Sequence, residues 1–284
     1  MTLDRAETEH IASLLGARIV RVVALGGGCV SDVSRLDLAD GRKVVMKRGA
    51  GLELEGWMLQ WLGQLGAAPV PAIHHAAPDL LIMDFIDGES SRLSPEAETH
   101  LGGIVAALHG IAGDAFGFER DTVIGGLPQP NPREASWRAF FRDHRLLYMA
   151  RMAHAAKRLP ARTMARVETL AARLEQWIDD AGAPALIHGD LWGGNILSRG
   201  NRVVGLIDPA IYFADPEIEL AFMTLFGSVG ERFFASYRER RTIRPGFFEA
   251  RRDLYNLYPL LVHVRLFGGS YVAQVERTLE RFGA

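Results

Sequence analysis

The segment Leu186-Ile187-His188-Gly189-Asp190-Leu191-Trp192-Gly193-Gly194-Asn195-Ile196-Leu197, followed by Gly205-Leu206-Ile207-Asp208, decides how this chain folds. Three oxygen-bearing side chains stand at a characteristic spacing: Asp190, then Asn195 after four residues, then Asp208 after a short apolar strand. In-line phosphoryl transfer needs a carboxylate beside the incoming hydroxyl and oxygen ligands for a magnesium ion. The segment therefore predicts a phosphoryl-transfer centre, with Asp190 as the catalytic carboxylate and Asn195 and Asp208 as the metal ligands.

The spacing of these three residues is more informative than their chemical type. Single Asp and Asn residues in glycine-rich loops usually serve turns. Protein kinases, however, carry the same Asp and Asn spacing on their catalytic loop, with a metal-binding Asp shortly afterwards. His188 either braces this loop or is a buried, hydrogen-bonded histidine, and both interpretations stay open.

Size and charge exclude several classes of protein. The chain has 284 residues, 48% of them hydrophobic, which suffices for one large domain or two modest lobes. Its formal net charge of -2 gives no reason to expect a nucleic-acid partner. The basic run from Arg238 to Arg244 is typical of a solvated helix end.

Cysteine content and hydropathy indicate a compartment. Cys29 is the single cysteine, so no intrachain disulfide can form and a reducing environment is expected. The amino terminus lacks the apolar core of a signal peptide, and no segment reaches the roughly 18 apolar residues of a membrane span. We therefore expect a soluble cytoplasmic protein without a membrane partner.

Periodicity predicts an α+β chain of two lobes. Short apolar runs between turns predict five strands, at residues 18–25, 30–38, 43–47, 73–75 and 80–85. An apolar stripe predicts a helix over residues 52–65. Ile86-Asp87-Gly88 is typical of a linker, and the remainder is mostly helical.

Candidate nucleotide-binding groups lie in the first lobe. Gly27 and Gly28 could bring backbone N–H groups close to phosphates, although glycines between two strands more often form only a hairpin turn. Lys47 ends a strand in the way of a lysine that pairs with nucleotide phosphates and a helix glutamate. Glu53 and Glu55 are the candidate partners; they point about 200° apart on a helix, so one of them faces Lys47, and we favour Glu53.

With these residues in place, the chain resembles the fructosamine kinase family, also called ketosamine 3-kinases, which is similar to aminoglycoside and choline kinases. The resemblance runs nearly end to end. Besides the segment from His188 to Asn195, the motifs that carry it are Phe116-Gly117-Phe118, Pro128-Gln129-Pro130-Asn131, Leu254-Tyr255-Asn256-Leu257-Tyr258 and Phe267-Gly268-Gly269-Ser270-Tyr271.

The resemblance implies a bilobal protein-kinase-like fold. A small lobe with a five-stranded antiparallel sheet would span residues 1–87 and bind nucleotide, and a larger, mostly helical catalytic lobe would span residues 88–284. ATP and Mg²⁺ are the implied cofactors. In this architecture the link between the lobes offers backbone groups to adenine, here Met83, Asp84, Phe85 and Ile86.

The resemblance also implies the acceptor. Phosphate would go to a sugar hydroxyl of a ketosamine, a fructosamine or ribulosamine adduct of an amine or a protein lysine, and the product would fall off, which repairs glycation. A cationic amine beside hydroxyls suggests carboxylates and an aromatic wall. The candidates are Trp192, Tyr212, Asp215 and Glu217, and Asp215 is equally well explained as a helix cap. A monomer or weak homodimer is expected.

Two other functions are compatible with these sequence features. One is an aminoglycoside or amino-alcohol phosphotransferase on the same fold; the arginine-rich stretch from Arg232 to Arg252 argues mildly against polycationic acceptors. Another is a kinase-like nucleotide-binding protein without activity, although such chains usually lose the lysine or the metal ligands. Cys29 is either a small buried residue or a thiol whose oxidation beside bound phosphates switches the enzyme off.

Overall fold

The structure, a computed structural model, describes residues 3–26, 32–90, 92–180 and 182–284. The chain divides into two compact units. The first contains Met1–Ala97 and Gly194–Pro209, and the second contains Glu98–Gly193 and Ala210–Ala284. Compared with a division after residue 87, the first unit therefore gains ten residues and a segment from much farther along the chain.

An antiparallel five-stranded sheet forms the centre of the first unit, in the order β1-β2-β3-β5-β4. The sheet confirms the predicted one. Its strands are β1 (Ile19–Ala24), β2 (Asp32–Leu38), β3 (Lys43–Arg48), β4 (Ile73–Ala76) and β5 (Leu80–Asp84).

The two faces of this sheet pack on different helices. Successive residues of β3 point to opposite faces, so Val44 packs in a cluster with Ile11 of helix α1 (Arg5–Leu15). Val45 packs in the other cluster with Leu59 of helix α2 (Leu52–Leu65). Lys47 shares the face of Val45, which directs it toward α2.

A hairpin from late in the sequence completes the first unit. Its strands are β9 (Ile196–Arg199) and β10 (Arg202–Leu206). Ser198 exchanges backbone hydrogen bonds with Glu89, at 2.9 and 3.0 Å, and the Leu206 N–H donates to the Pro69 carbonyl at 2.8 Å. These bonds attach the hairpin that carries Asn195 and Asp208.

The second unit is mostly helical, as predicted. Helix α3 (Pro95–Leu108) begins in the first unit, capped by Ser94, and continues in the second. The other helices are α4 (Trp137–Phe140), α5 (Leu147–Ala155), α6 (Ala161–Ala171), α7 (Glu217–Leu225), α8 (Glu231–Arg238), α9 (Arg252–Phe267) and α10 (Ser270–Arg281). Two π-helical turns, Phe141–Leu146 and Phe247–Arg251, precede α5 and α9. Within the described ranges, no helix is long and apolar enough to cross a membrane.

Short strands organise the loops of the second unit. Strand β8 (Ala185–Ile187) pairs with β11 (Tyr212–Ala214). Residues 113–133 are rich in Gly, Pro and Asn and hold the hairpin β6 (Thr122–Ile124) and β7 (Leu127–Gln129). The buried Gln129 amide donates to the Ala210 carbonyl at 3.0 Å, which fixes this stretch to the segment before β11.

Candidate active site

Asp190 lies in the loop that follows β8. The Ala210 N–H donates to the His188 carbonyl at 2.8 Å, which continues the pairing of β8 with β11. Gly189 has a φ of 84°, and a Cβ at this position would clash with the Ala210 carbonyl oxygen. Glycine is thus required for the chain to turn here and present Asp190.

A buried carboxylate holds the backbone of this loop. Glu219 of α7 accepts hydrogen bonds from the N–H groups of Gly189, at 2.7 Å, and His188, at 3.2 Å. Burial opposes its charge, but the hydrogen bond and charge of His109 outweigh burial and hold the pKa of Glu219 below its ordinary value. The ionised carboxylate therefore holds the loop backbone immediately before Asp190.

His109 connects Glu219 to α8. Its ring Nε2 lies 2.9 Å from the Glu219 carboxylate, and its Nδ1 lies 2.9 Å from the Tyr237 hydroxyl. All three side chains are buried. An ionised carboxylate accepts hydrogen bonds only, so Nε2 is the donor to Glu219. Burial raises the pKa of Tyr237, so its hydroxyl stays protonated beside Nδ1. This chain of contacts was not predicted from the sequence.

Lys47 and Asp208 meet in the first unit. The Lys47 ammonium lies 2.6 Å from Glu55 Oε1 and forms a second ion pair with Asp208. Burial disfavours the charge of Lys47, but the carboxylates of Asp208 and Glu55 outweigh burial and raise the pKa of the ammonium. A buried lysine is thus kept charged between two carboxylates.

The partner of Lys47 is Glu55, so our preference for Glu53 is wrong. Lys47 lies on the face of β3 that packs against α2. In α2, Glu55 shares a face with Leu59, four residues later, which is buried in the cluster with Val45. Glu53 points away from this face and is exposed.

Asn195 and Asp208 flank the open end of the β9–β10 hairpin. The Ile207 N–H donates to the Asn195 carbonyl at 3.1 Å, so the fold brings the backbones of the two predicted metal ligands together. Asp208 has a φ of 56°, which is uncommon for a residue other than glycine and typical of functional positions. Its side chain is 44% exposed. Carboxylate and amide oxygens are the ligands that Mg²⁺ prefers, so this donor set fits the ion.

The residues expected at adenine end strand β5 and begin the following segment. Met83 is buried opposite Val45, and Asp84 is exposed and contacts His74 at 2.7 Å. The Phe85 N–H donates to the Lys43 carbonyl at 3.2 Å, and half-buried Ile86 follows. Gly27, Gly28 and Cys29 lie outside the described residues.

Two carboxylates expected at the substrate are engaged in ion pairs instead. Asp215 is buried, pairs with Arg244, and accepts from the Tyr255 hydroxyl at 3.0 Å. Glu217 is buried and pairs with Arg251 at 2.6 Å. Their charges are compensated inside the protein, which corrects the expectation that they face a substrate amine. The Glu217 N–H donates to Asp215 at 3.0 Å, so Asp215 caps α7.

Of the other two candidates, one is also buried. The ring of Tyr212 lies 3.9 Å from the guanidinium carbon of Arg145, which covers it, so Tyr212 does not line an open pocket as expected. Trp192 stays 40% exposed. The N–H of the adjacent Gly193 donates to the Ser228 hydroxyl at 2.8 Å, which fixes the backbone beside the tryptophan.

Comparison with known sequences gives a consistent result. The family profile described as "Fructosamine kinase" matches residues 5–283. A "Probable ketoamine kinase" of Synechocystis sp. is 34% identical over 278 residues, which cover 93% of this chain and 90% of the relative. A chloroplastic protein-ribulosamine 3-kinase of Arabidopsis thaliana is 31% identical over 268 residues, covering 89% and 80%.

Solved structures agree with this result. A Thermobifida fusca protein, described as a fructosamine-3-kinase candidate, superposes with a TM-score of 0.85 at 32% identity, over 96% of this chain and 98% of that one. An aminoglycoside phosphotransferase gives a TM-score of 0.65 at 17% identity, over 98% and 97% of the two chains. The fold is therefore the protein-kinase-like fold shared by these phosphotransferases.

Proposed function

The chain belongs to the fructosamine kinase family, and from this premise we propose that it transfers the γ-phosphate of ATP to a sugar hydroxyl of a ketosamine. The observation that carries the proposal is the cluster of Lys47, Glu55 and Asp208, at the open end of the hairpin that also carries Asn195. A buried, charged lysine is suited to bind phosphate, and the exposed carboxylate beside it is suited to bind a divalent cation.

The residues of the first unit act on the nucleotide. Lys47 steadies the phosphates, and Glu55 holds the ammonium in place. Asn195 and Asp208 hold Mg²⁺, which, when bound, would neutralise charge on the phosphates. The segment from Met83 to Ile86 receives adenine through its backbone groups.

Asp190 of the second unit acts on the acceptor. Its carboxylate accepts the proton of the sugar hydroxyl or orients its attack. Glu219 is a positioning residue, because it fixes the N–H groups of His188 and Gly189 immediately before Asp190.

The names of the relatives support a ketosamine as the acceptor. They are a ketoamine kinase and a protein-ribulosamine 3-kinase. We infer that the substrate is a ribulosamine or fructosamine adduct of an amine or a protein lysine, and that its phosphorylation leads to deglycation. The similarity to an aminoglycoside phosphotransferase, at 17% identity, concerns the fold alone.

A panel of acceptors tests this function. Ribuloselysine, fructoselysine, kanamycin and choline are each incubated with the protein, ATP and Mg²⁺, and products are detected by mass spectrometry. We expect a mass increase of one phosphate on a ketosamine and none with Asp190→Ala. Phosphate on kanamycin or choline, with none on either ketosamine, would overturn the proposal.

A further inference from the structure

An exposed row of aromatic side chains leads away from the catalytic loop. Trp192 and Phe226 are each 40% exposed, with ring centroids 6.2 Å apart. The Phe226 ring lies 5.0 Å from His263, which lies 4.8 Å from Tyr271. Phe267 is 50% exposed and borders both of the latter rings. We call these five residues the aromatic row, of which His263 and Tyr271 are half-buried; contiguous aromatic surfaces of this kind mark binding sites.

A groove continues the aromatic row along the same helices. On α9, Leu260 lies three residues from His263, and on α10, Gln274 lies three residues from Tyr271, so each pair shares a helix face. The groove has a volume of about 340 Å³, and Leu260 and Gln274 both line it. Leu225 also lines it, and its remaining walls are polar.

Asn256 lines this groove and carries an unpartnered acceptor. The residue is 7% exposed, and within the described part of the chain its buried Oδ1 has no hydrogen-bond partner. A buried polar atom of this kind lowers stability unless a donor satisfies it. The backbone N–H of a bound polypeptide is such a donor.

The far end of the groove carries a free positive charge. Arg277 lines the groove, is exposed, and makes no ion pair or hydrogen bond with any residue that the structure describes. Its neighbour Arg281 is neutralised by Asp253. Charge complementarity therefore favours an acidic group at Arg277.

From these features we propose that the groove binds the polypeptide that carries the modified lysine. The inference rests on the proposed function and specifies its substrate as a ketosamine on a protein lysine. The lysyl stem lies along the aromatic row, a peptide N–H donates to Asn256, and an acidic side chain pairs with Arg277.

The dimensions fit this arrangement. About eight bonds separate a sugar hydroxyl-bearing carbon from the lysine Cα, an extended reach of about 10 Å. Successive ring centroids of the aromatic row, starting from Trp192, are 6.2, 5.0 and 4.8 Å apart. A lysyl stem of this length therefore extends past the first rings of the row before it reaches the polypeptide backbone. Arg277 follows Tyr271 by six residues, about 9 Å of helix, which an extended peptide spans in about three residues. The preferred acidic residue thus lies about three positions from the modified lysine.

Steady-state kinetics on two acceptors tests the inference. One acceptor is free ribuloselysine, and the other is a peptide with ribuloselysine and an Asp three residues away. We expect Arg277→Glu to lower kcat/KM for the peptide about 10-fold and Asn256→Leu about 5-fold, with changes below about 2-fold for the free acceptor. The matched control is Arg162→Glu on α6, an exposed arginine that should change neither value.

The outcomes separate the two proposals. Asn256→Leu should keep the thermal midpoint of the parent, since it removes an unpartnered polar atom; if the midpoint falls, Arg277→Glu alone decides the inference. Equal losses on both acceptors, or no loss on the peptide, would overturn the groove as a docking site. If the parent phosphorylates neither acceptor, nor fructoselysine in their place, the proposed function itself fails.

Discussion

The two units of this protein use buried charge in opposite ways. In the first unit, Lys47 pairs side chain to side chain with Glu55 and with Asp208, and the Asp208 side chain is 44% exposed. In the second unit, Glu219 is fully enclosed, binds two backbone N–H groups, and contacts His109.

This difference indicates two kinds of contribution to one reaction. An ion pair at an accessible carboxylate can be exchanged for a ligand phosphate or a cation, so the cluster at Lys47 is suited to bind. Glu219 is enclosed, and its contacts go to two backbone N–H groups and His109, so it is suited to hold the loop before Asp190 and not to bind a ligand.

The largest effect is expected where the first unit meets the metal. Asp208→Asn removes the anionic member of the proposed metal site and should lower kcat about 1000-fold, because several kcal/mol of charge stabilisation are lost. Turnover is measured by coupled ADP release. Asp87→Asn, which alters an exposed aspartate of the same unit, is the control and should retain full activity.

A smaller loss is expected from the anchor of the catalytic loop. Glu219→Gln keeps the shape but removes the charge, and it should lower kcat about 30-fold and the free energy of unfolding by about 2 kcal/mol. The KM for ATP should stay unchanged, since the nucleotide groups are untouched. An unaltered kcat beside reduced stability, measured by urea unfolding, would show that the anchor has no part in positioning Asp190.

Substitution of each of the two glutamates on α2 tests which of them supports Lys47. Glu55→Gln weakens the support of Lys47 and should lower kcat/KM for ATP about 10-fold, whereas Glu53→Gln should leave it unchanged. Both are assayed at the same Mg²⁺ concentration. The reverse order would restore Glu53 as the functional partner.

The smallest expected effect is on the pH dependence of stability. The pKa of Glu219 is lowered in the folded protein. The ionised carboxylate therefore contributes fully to the free energy of unfolding at pH values above the ordinary glutamate pKa of about 4.3. This contribution is lost as the pH falls through the lower pKa of the folded state. Urea unfolding of the parent and Glu219→Gln from pH 6 to pH 3 should therefore converge by about 1 kcal/mol at acid pH. A constant difference between the two would contradict the ionised state.

Local patterns predicted one region far better than the other. The apolar stripe located α2 at its observed bounds. The motif spacing picked out Asn195 and Asp208, whose backbones the hairpin brings together. Glu53 was misassigned because two glutamates near the start of a helix differ only in the face they occupy. Packing of α2 against β3 decides which glutamate faces Lys47. Leu59 of α2 and Val45 of β3 lie in that packed cluster.

The anchor in the second unit could not be found in this way. Glu219 reaches loop residues about 30 positions away, and His109 lies 110 positions from it. The one indication in the sequence is a glutamate within the apolar run Ile218-Glu219-Leu220-Ala221. A charged residue in such a run is expected to be buried, and a buried charge requires partners. For the same reason, Asp215 and Glu217 were assigned to the substrate when their partners are arginines distant in sequence.

The most direct test is whether Lys47 acts in ATP binding and Asp190 acts only on the acceptor. ATP and Mg²⁺ are titrated calorimetrically into Lys47→Met and Asp190→Ala, and turnover of ribuloselysine is measured for both variants. Both variants should lose turnover by at least about 100-fold. We expect Lys47→Met to weaken ATP binding about 10-fold or more, whereas Asp190→Ala should bind ATP as the parent does. Loss of ATP binding in Asp190→Ala, or parental turnover in either variant, would contradict these roles.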